Sequence, residues 1–326
     1  PIGKSGRGYF RNTRPDDLLV AAVRSALAQV PTLDPKAIED AIIGCSFPEG
    51  EQGMNMARAA MVLAGLPHSV GGVTVNRFCA SGLTALQMAA DRIRVGEADV
   101  MIAGGAESMS MVPMGGNKPS FNPEVFAKDE NVGIAYGMGL TAEKVAAQWK
   151  VSREAQDAFA LASHQKALAA QAAGEFADEM TPVSIVDRVP DLAGGGTKTK
   201  TRTVALDEGA RPDTTLEGLA RLRPVFAAKG SVTAGNSSPL SDGAAATVLL
   251  SERKAKELSV KPLGRLRGGV DQVGRALDPH RRRAEGLGEG LHDPAGAWRE
   301  GRADAVDAQA QVSHGCRPSA GTARAW

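Results

Sequence analysis

Cysteine is scarce in this sequence of 326 residues, which contains only Cys45, Cys79 and Cys316. No two of them have the C-x-x-C spacing that is typical of a structural zinc site. An odd number of widely spaced cysteines also gives no disulfide framework. We therefore expect no metal site and a reducing, cytoplasmic compartment.

Long apolar runs and an excess of one charge are also absent. No stretch reaches the roughly 18 to 20 consecutive apolar residues that a membrane helix needs, so we expect no membrane span. Lys and Arg number 38 against 37 Asp and Glu, which gives a net charge of +1. This balance favours neither nucleic acid nor a membrane surface as a partner. The chain begins at Pro1 without a signal segment or an initiator Met, so we expect its start to be truncated.

What the first hundred residues do contain is an alternation of helical and strand patterns. Apolar residues at helical spacing alternate with short apolar runs that end in turn residues. The predicted elements are a helix over 15–30, a strand over 40–47, a helix over 54–66, a strand over 71–78, a helix that follows Cys79, and a strand over 98–110. We expect the helix after Cys79 to be buried between layers, since it is apolar around most of its circumference as far as Asp91. The alternation predicts an α/β layered fold.

The pattern changes over about 112–229, where helices mix with polar turns. This part contains one long predicted helix over 152–173 and a Gly-Gly-Gly-Thr-Lys-Thr-Lys segment, and we interpret it as an insertion between strands. The α/β pattern returns with a predicted strand over 245–251 and a charged helix after it. The segment KPLGRLRG at 261–268 predicts a further strand. Beyond it Arg, Gly and Ala dominate and Lys, Ile, Phe and Met are missing, which predicts a disordered or weakly folded tail.

Cys79 is the strongest candidate for chemistry, because it stands between a predicted strand and a predicted helix. A thiol in the first turn of a helix lies near unpaired backbone N–H groups, which favour the nucleophilic thiolate. Ala80, Ser81 and Gly82 are small enough for a substrate to approach, and the N–H of Cys79 is placed to bind an oxyanion. On these residues alone, a reactive thiol and a buried structural thiol both remain open.

Other reactive side chains are weaker candidates. We expect Cys45 to be a core residue, because it lies within a buried strand pattern. His68 follows Pro67 in a turn and His164 lies on the polar side of a helix, so neither is expected to act as a base. Gly104 and Gly105 lack the further glycines of a phosphate loop, and we interpret them as sites of close backbone packing near the functional site.

Several segments resemble those of the thiolases, in the same order along roughly residues 1–267. These segments are NRFCASGLTAL, AGGAESMS, YGMGLTAEKVA, SREAQDAFALASHQKA, LARLRPVF and VTAGNSSPLSDGAAA. The resemblance implies a layered thiolase fold, with a mixed sheet and buried helices, whose second half is absent or disrupted. It also implies that Cys79 is acylated by a 3-ketoacyl-CoA with release of acetyl-CoA, after which a second CoA removes the acyl group. The reverse path would condense acetyl-CoA.

The same resemblance implies residues that contact coenzyme A and the acyl group. Arg211 and Leu222 would lie near the nucleotide end, Ala234 and Ser238 near the pantetheine, and Met138 beside the acyl group. Without the resemblance, Arg211 would be a solvated surface charge, Ser238 a turn residue and Met138 a filler of a gap. The family further implies CoA and acyl-CoA as partners, no permanently bound cofactor, a homodimer or homotetramer, and a role in fatty acid β-oxidation.

The chain also departs from the family pattern. The Asn-Glu-Ala-Phe segment, the Gly-His-Pro histidine and the Cys-x-Gly cysteine of a thiolase's second half do not occur, and His314, Gly315 and Cys316 do not match them. The resemblance stops near Arg267, which gives predicted boundaries of 1–257 for an N-terminal domain, 258–267 for the start of a second, and 268–326 for a tail. A shifted reading frame would produce this break; resequencing that gave an in-frame read through it would disprove that hypothesis.

Two details bear on the kind of activity. Biosynthetic, acetoacetyl-specific thiolases tend to carry a histidine where this chain has Gly137, so its absence favours the degradative 3-ketoacyl-CoA thiolases. Ketoacyl synthases also place a cysteine at a helix start, but they lack the AGGAESMS and VTAGNSSPLSDGAAA segments in this form. A non-catalytic CoA-binding subunit or an inactive remnant is the remaining alternative, because half of the catalytic set is missing.

Overall fold

The structure is a computed structural model that describes residues 1–266. Its contacts divide the chain into two compact units. Among the described residues, the first unit comprises 1–15, 49–52 and 107–243, and the second comprises 16–48, 53–106 and 244–266. The tail predicted over 268–326 lies outside the described residues, and the predicted domain boundaries stay predictions.

The main sheet has five strands and is mixed. Its strands are β1 (Gly3–Lys4), β2 (Asp40–Gly44), β3 (Val73–Val75), β4 (Val100–Ser108) and β7 (Ser241–Leu250). Their order across the sheet is β1–β7–β4–β2–β3. Strand β2 is parallel to both β3 and β4, whereas β1 is antiparallel to β7. This mixed sheet confirms the predicted fold class.

Helices cover both faces of the sheet in the second unit. The helices there are α1 (Pro15–Ala28), α2 (Met56–Ala64), α3 (Ser81–Arg94) and α7 (Glu252–Glu257). Side chains alternate between the two faces of a strand, so Ile43 and Ile102 pack in the cluster formed with α1 and α2, while Ile42 and Met101 pack in the cluster formed with α3. The result is a layer of helices, a sheet and a second layer of helices.

The predicted elements of this unit are present. Most have shorter ends, whereas β7 begins at Ser241, before the strand predicted over 245–251. The strand predicted over 40–47 ends at Gly44, and the one predicted over 71–78 spans only Val73–Val75. Cys45 is 1% exposed within the core, as predicted. Helix α3 buries one face rather than most of its circumference, because only the sheet side is covered and Met88 on the other side is 41% exposed.

The strand predicted over 261–268 is wrong for the residues that the structure describes. Residues 261–266 have no regular secondary structure. Pro262 has no N–H to donate to a neighbouring strand, and Gly264 has no side chain to pack against one. The two residues together weaken any strand at this position.

Besides β1 and short 3-10 turns, the first unit contains three α-helices and a two-stranded sheet among its described elements. The helices are α4 (Met138–Trp149), α5 (Arg153–Ala173) and α6 (Leu216–Ala220), and the strands are β5 (Val183–Pro190) and β6 (Thr197–Val204). Helix α5 agrees with the helix predicted over 152–173, since the Ser152 side chain caps it by accepting a hydrogen bond from the N–H of Ala155 at 3.2 Å. Within residues 1–266, no helix is both long and apolar enough to cross a membrane.

The antiparallel hairpin of β5 and β6 is absent from our sequence prediction. Its register pairs Val183 with Val204 and Pro190 with Thr197. Gly195 and Gly196, both at positive φ, lie in the connection. The alternating Thr and charged residues of β6 and the glycine run before it carried the signal for a hairpin.

Candidate functional site

Cys79 lies in a short turn between β3 and α3, and its side chain is exposed. The first helical residue is Ser81 and the N-cap residue is Ala80, so Cys79 stands just before the helix rather than in its first turn. The order of strand, cysteine and helix is as predicted. An exposed thiol at this position is accessible to a substrate. The exposure excludes one of the two alternatives that the sequence left open, a buried structural thiol.

Two polar side chains hold the turn that carries Cys79. The hydroxyl of Ser81, a residue that is 3% exposed, accepts a hydrogen bond from the N–H of Arg77 at 2.8 Å and donates one to the carbonyl of Phe78 at 2.5 Å. The side-chain oxygen of Asn76 accepts from the N–H of Phe78 at 2.8 Å, and its amide nitrogen donates to the carbonyl of Ser46 at 2.9 Å. The backbone immediately before Cys79 is therefore fixed by its own neighbours.

Phe78 adopts the left-handed conformation, with φ of 48°. This conformation costs a residue other than glycine about 1 to 3 kcal/mol and persists only where the surroundings impose it. Here the hydrogen bonds of Asn76 and Ser81 impose it, and the Phe78 ring lies 6.0 Å from the ring of Phe47 at 53°. The turn is thus a locally strained bend directly before the thiol.

Glycines allow the start of α3 to rest directly on the sheet. A Cβ atom at Gly44 would lie 2.4 Å from the carbonyl carbon of Ser81, at the start of α3. Between strands, a Cβ at Gly104 on β4 would lie 2.4 Å from the carbonyl oxygen of Ala245 on β7. A Cβ at Gly105 would lie 3.2 Å from the carbonyl oxygen of Gly44. The predicted close backbone packing at Gly104 and Gly105 is therefore present. By contrast, a Cβ at Gly82 would meet no atom of the described residues within 4 Å.

The other predicted site residues all lie in the first unit and are exposed. They are Met138, Arg211, Leu222, Ala234 and Ser238. Met138 is the first residue of α4, and Ala234 and Ser238 lie in the turn before β7. The exposure of these side chains leaves them accessible to a ligand.

Arg211 is held by two neighbours. Its N–H donates to Nδ1 of His164 at 3.1 Å, and its guanidinium contacts both carboxylate oxygens of Asp213, at 3.1 and 2.7 Å. The hydrogen bond from Arg211 is the main cause that lowers the pKa of the Asp213 carboxyl below its ordinary value, and it also raises the pKa of Arg211. Both groups are charged near neutral pH. The negative charge of Asp213 therefore partly balances the positive charge of Arg211.

Leu222 and the turn with Ala234 and Ser238 are close together. A Cβ at Gly235 would lie 2.5 Å from Cδ1 of Leu222, and the N–H of Val225 donates to the carbonyl of Val232 at 3.1 Å. The residue after Met138 belongs to the same group, because a Cβ at Gly139 would lie 2.2 Å from the ring of Phe226. Four of the five residues that the sequence assigned to CoA and acyl-group contacts are thus on connected segments.

The polar residues that hold these segments were not predicted from the sequence. Glu143 on α4 accepts hydrogen bonds from the N–H groups of Ser231, at 2.9 and 3.0 Å to its two oxygens, and of Val232, at 2.9 Å. Asp157 on α5 is 4% exposed and accepts from the side chain of Asn236 at 2.9 Å. A charged residue in a helix gives no sequence signal for such a role until the distant segment is known.

No group of His, Cys, Asp and Glu side chains in residues 1–266 is arranged to hold a metal ion. The exposed thiol of Cys79 stays the candidate nucleophile among the described residues, and the exposed residues of the first unit stay predicted ligand contacts.

Comparisons with known proteins all point to one family. A family model described as "Thiolase, N-terminal domain" matches residues 1–253. A 3-ketoacyl-CoA thiolase of Bacillus subtilis is 46% identical over 275 residues, which are 83% of this chain and 69% of that protein. A 3-ketoacyl-CoA thiolase of Colwellia psychrerythraea is 45% identical and covers 82% of this chain and 67% of its own length.

A solved structure agrees with the sequence comparisons. The crystal structure of the Bacillus anthracis acetyl-CoA acetyltransferase superposes with a TM-score of 0.68 at 36% identity, and it covers 80% of this chain and 66% of the other. The chain therefore spans about two thirds of the length of the relatives it matches.

Proposed function

Because the chain belongs to the thiolase family, we propose that Cys79 is the nucleophile that takes an acyl group from a 3-ketoacyl-CoA. The observation that carries this proposal is the exposed thiol on the strained turn between β3 and α3, held by Asn76 and Ser81. A thiol fixed at this point by the backbone has little freedom to lose when it meets a substrate.

The proposed chemistry has two steps. The Cys79 thiolate adds to the 3-keto carbonyl, the bond between C2 and C3 breaks, and its electron pair leaves with acetyl-CoA, whose C2 then takes a proton. The thiolate of a second CoA adds to the acyl thioester, and the Cys79 thiolate leaves with the electron pair of the broken C–S bond. The backbone N–H of Cys79 is one donor for the oxyanion of either step. The open space beside Gly82 leaves room for the thioester.

The ligand contacts in this proposal are those that family membership supports. Arg211 and Leu222 contact the nucleotide end of CoA, Ala234 and Ser238 contact the pantetheine, and Met138 lies beside the acyl group. The guanidinium of Arg211 is paired with Asp213, and its exposed position lets it turn its fork of N–H donors to a phosphate when CoA binds. The substrates are CoA and acyl-CoA, and the chemistry of a cysteine nucleophile requires no permanently bound cofactor.

The finer assignment follows the relatives and Gly137. We place the chain among the degradative thiolases of fatty acid β-oxidation, because the curated relatives are named 3-ketoacyl-CoA thiolases and because Gly137 replaces the biosynthetic histidine. A cytoplasmic homodimer or homotetramer completes the proposal, as does the division into a domain over 1–257, the start of a second over 258–267 and a tail.

Intact-mass spectrometry after mixing with acetoacetyl-CoA tests the nucleophile. We expect a slow gain of one acetyl group that is lost in Cys79→Ser and retained in Cys45→Ser. We expect no measurable thiolysis by the 326-residue polypeptide, because the Gly-His-Pro histidine and the Cys-x-Gly cysteine of the family are absent from its sequence. An acetyl adduct that survives in Cys79→Ser would disprove the assignment.

The alternative is a CoA-binding protein without catalysis. It is favoured by one observation, the absence of half of the family's catalytic set from this sequence. Tight binding of CoA by calorimetry together with no acetyl adduct on Cys79 would support it over the acyltransferase. Robust thiolysis would exclude it.

A further inference from the structure

The two segments assigned to CoA are both tied to one pair of side chains on α5. Arg153 and Asp157 are one helical turn apart, and Nε of Arg153 donates to Oδ2 of Asp157 at 2.7 Å. The side chain of Asp157 is 6% exposed and that of Arg153 is 21% exposed. An ion pair this deeply buried is costly unless further hydrogen bonds satisfy its remaining atoms.

Arg153 supplies those further bonds on one side. Its Nη2 donates to the carbonyl of Leu219 at 2.6 Å and to that of Leu222 at 3.1 Å. Both carbonyls belong to the end of α6 and the residues directly after it, the segment that carries Leu222. The planar guanidinium can reach the carboxylate and two carbonyls together, which an ammonium group cannot do with the same geometry.

Asp157 supplies them on the other side. Its Oδ1 accepts from Nδ2 of Asn236 at 2.9 Å, while Oδ1 of Asn236 accepts from the N–H of Thr233 at 2.7 Å. The hydroxyl of Ser237 donates to the carbonyl of Thr233 at 2.6 Å. These bonds fix the turn in which Ala234 and Ser238 lie.

The two segments also leave each other no room to shift. Gly235 faces the side chains of Leu219 and Leu222, each of which would lie 2.5 Å from a Cβ at that position. Any displacement of the Leu222 segment would therefore also move the turn that contains Gly235. Apolar contact alone does not fix one relative position of the two segments. The hydrogen bonds of Arg153 and Asp157 are directional, and they fix it.

We propose that Arg153 and Asp157 are positioning residues for coenzyme A, which set the Leu222 segment and the turn of Ala234 and Ser238 in one binding geometry. The pair touches no substrate and acts through these two segments. The inference rests on the proposed assignment of those segments to CoA, and it goes beyond it by naming the device on which affinity for CoA depends.

Calorimetric titration of the full chain with CoA tests this inference. Asp157→Asn leaves one oxygen to serve both Arg153 and Asn236, and we expect the Kd for CoA to rise about tenfold, the loss expected for one hydrogen bond to a charged group. Arg153→Lys keeps the charge but cannot hold both carbonyls, and we expect a rise of similar size. Asp178→Asn makes the same chemical change at an exposed aspartate after α5, and its Kd should equal that of the unmodified chain.

Acylation of Cys79 provides a second measurement, which distinguishes weaker CoA binding from a general loss of structure. With acetoacetyl-CoA, Asp157→Asn should raise the half-saturating concentration about tenfold. With the acetoacetyl thioester of N-acetylcysteamine, which lacks the nucleotide, its rate should match that of the unmodified chain. Equal Kd values for CoA in Asp157→Asn, Arg153→Lys and Asp178→Asn would overturn the inference, and so would an equal slowing with both thioesters.

The outcomes separate this inference from the proposed function. If the unmodified chain binds CoA but Cys79 takes no acetyl group, the acyltransferase proposal fails and the calorimetric comparison still decides the role of the pair. If the unmodified chain does not bind CoA, the inference is wrong. Where Asp157→Asn does not fold, Arg153→Lys decides it.

Discussion

At the scale of single residues, the position of Cys79 depends on nearby glycines, which have no Cβ atom. Gly44 and Gly105 have no Cβ, and this allows the backbone of Ser81 and Gly82 to approach the strand ends. Gly82 also lacks a Cβ, but the space beside it is open. Glycine thus permits close packing at two of these positions, while the third lies beside open space.

Substitution by alanine is expected to change the free energy of unfolding in opposite directions at Gly44 and Gly82. Gly44→Ala would place a Cβ 2.4 Å from the carbonyl carbon of Ser81, and we expect it to lower the free energy of unfolding by about 2 to 3 kcal/mol, since backbone must move. Gly82→Ala meets nothing and replaces glycine inside a helix, so we expect a gain of about 0.5 to 1 kcal/mol.

Denaturant unfolding of the two variants measures both effects. The reactivity of Cys79 should fall in Gly82→Ala, because the added methyl group narrows the approach to the sulfur, although the protein is more stable. Equal stability of the two variants would show that the start of α3 does not depend on the packing at Gly44.

At the scale of elements, α3 is held against the sheet by small residues. Ala85 and Ala89 are 0% exposed and belong to the cluster that contains Ile42 and Met101. Small side chains bring the helix axis close to the strands. Because Cys79 lies just before this helix, the seating of α3 sets the location of the thiol.

A larger side chain on the buried face of α3 should displace the helix. We expect Ala89→Leu to lower the free energy of unfolding by about 1 to 3 kcal/mol, the usual cost of overpacking, and to slow alkylation or acylation of Cys79. Met88→Leu, at the exposed neighbouring position, is the matched control and should change neither quantity. Thermal unfolding and peptide mapping of the modified thiol give the two measurements.

The elements that the sequence predicted are those with strong periodicity. Helix α1 begins with Pro15 and has acidic residues in its first turn, and α5 begins after the capping residue Ser152. Strand β2 is a short apolar run before a turn. The hairpin of β5 and β6 was missed because only Ile185 and Val204 are buried in it, so its pattern is mainly polar. The strand predicted at 261–268 was wrong because its apolar residues are interrupted by Pro262 and Gly264.

The candidate site follows a similar division. Cys79 was predictable from its local sequence, since a strand, a thiol, small residues and a helix are consecutive in the chain. Arg153, Asp157 and Asn236 were not, because their hydrogen bonds join residues as many as 79 positions apart. Long-range polar contacts leave no local pattern in the sequence.

At the scale of the whole molecule, the chain spans about two thirds of the length of its relatives. The segments that match them include the proposed nucleophile and the proposed CoA contacts, while the family's histidine and second cysteine have no counterpart in the printed sequence. The proposal therefore predicts that acyl transfer to Cys79 can be measured separately from turnover.

A chimera tests this separation. Residues 1–266 joined to the part of the Bacillus subtilis relative that follows its matched region would combine Cys79 with the family's remaining catalytic residues. We expect thiolysis of acetoacetyl-CoA by the chimera, lost in its Cys79→Ser variant and absent from the unmodified chain. A folded chimera that binds CoA yet shows no thiolysis, beside an active relative, would contradict the proposed role of residues 1–266.

The contrast between the two described cysteines makes the protein its own reporter of unfolding. Cys45 is sealed in the core at 1% exposure, whereas Cys79 is open to solvent. A bulky maleimide therefore labels Cys79 in the folded state and reaches Cys45 only when its surroundings open. The delay between the two labels, resolved by peptide mapping, times the opening of the core without any engineered cysteine.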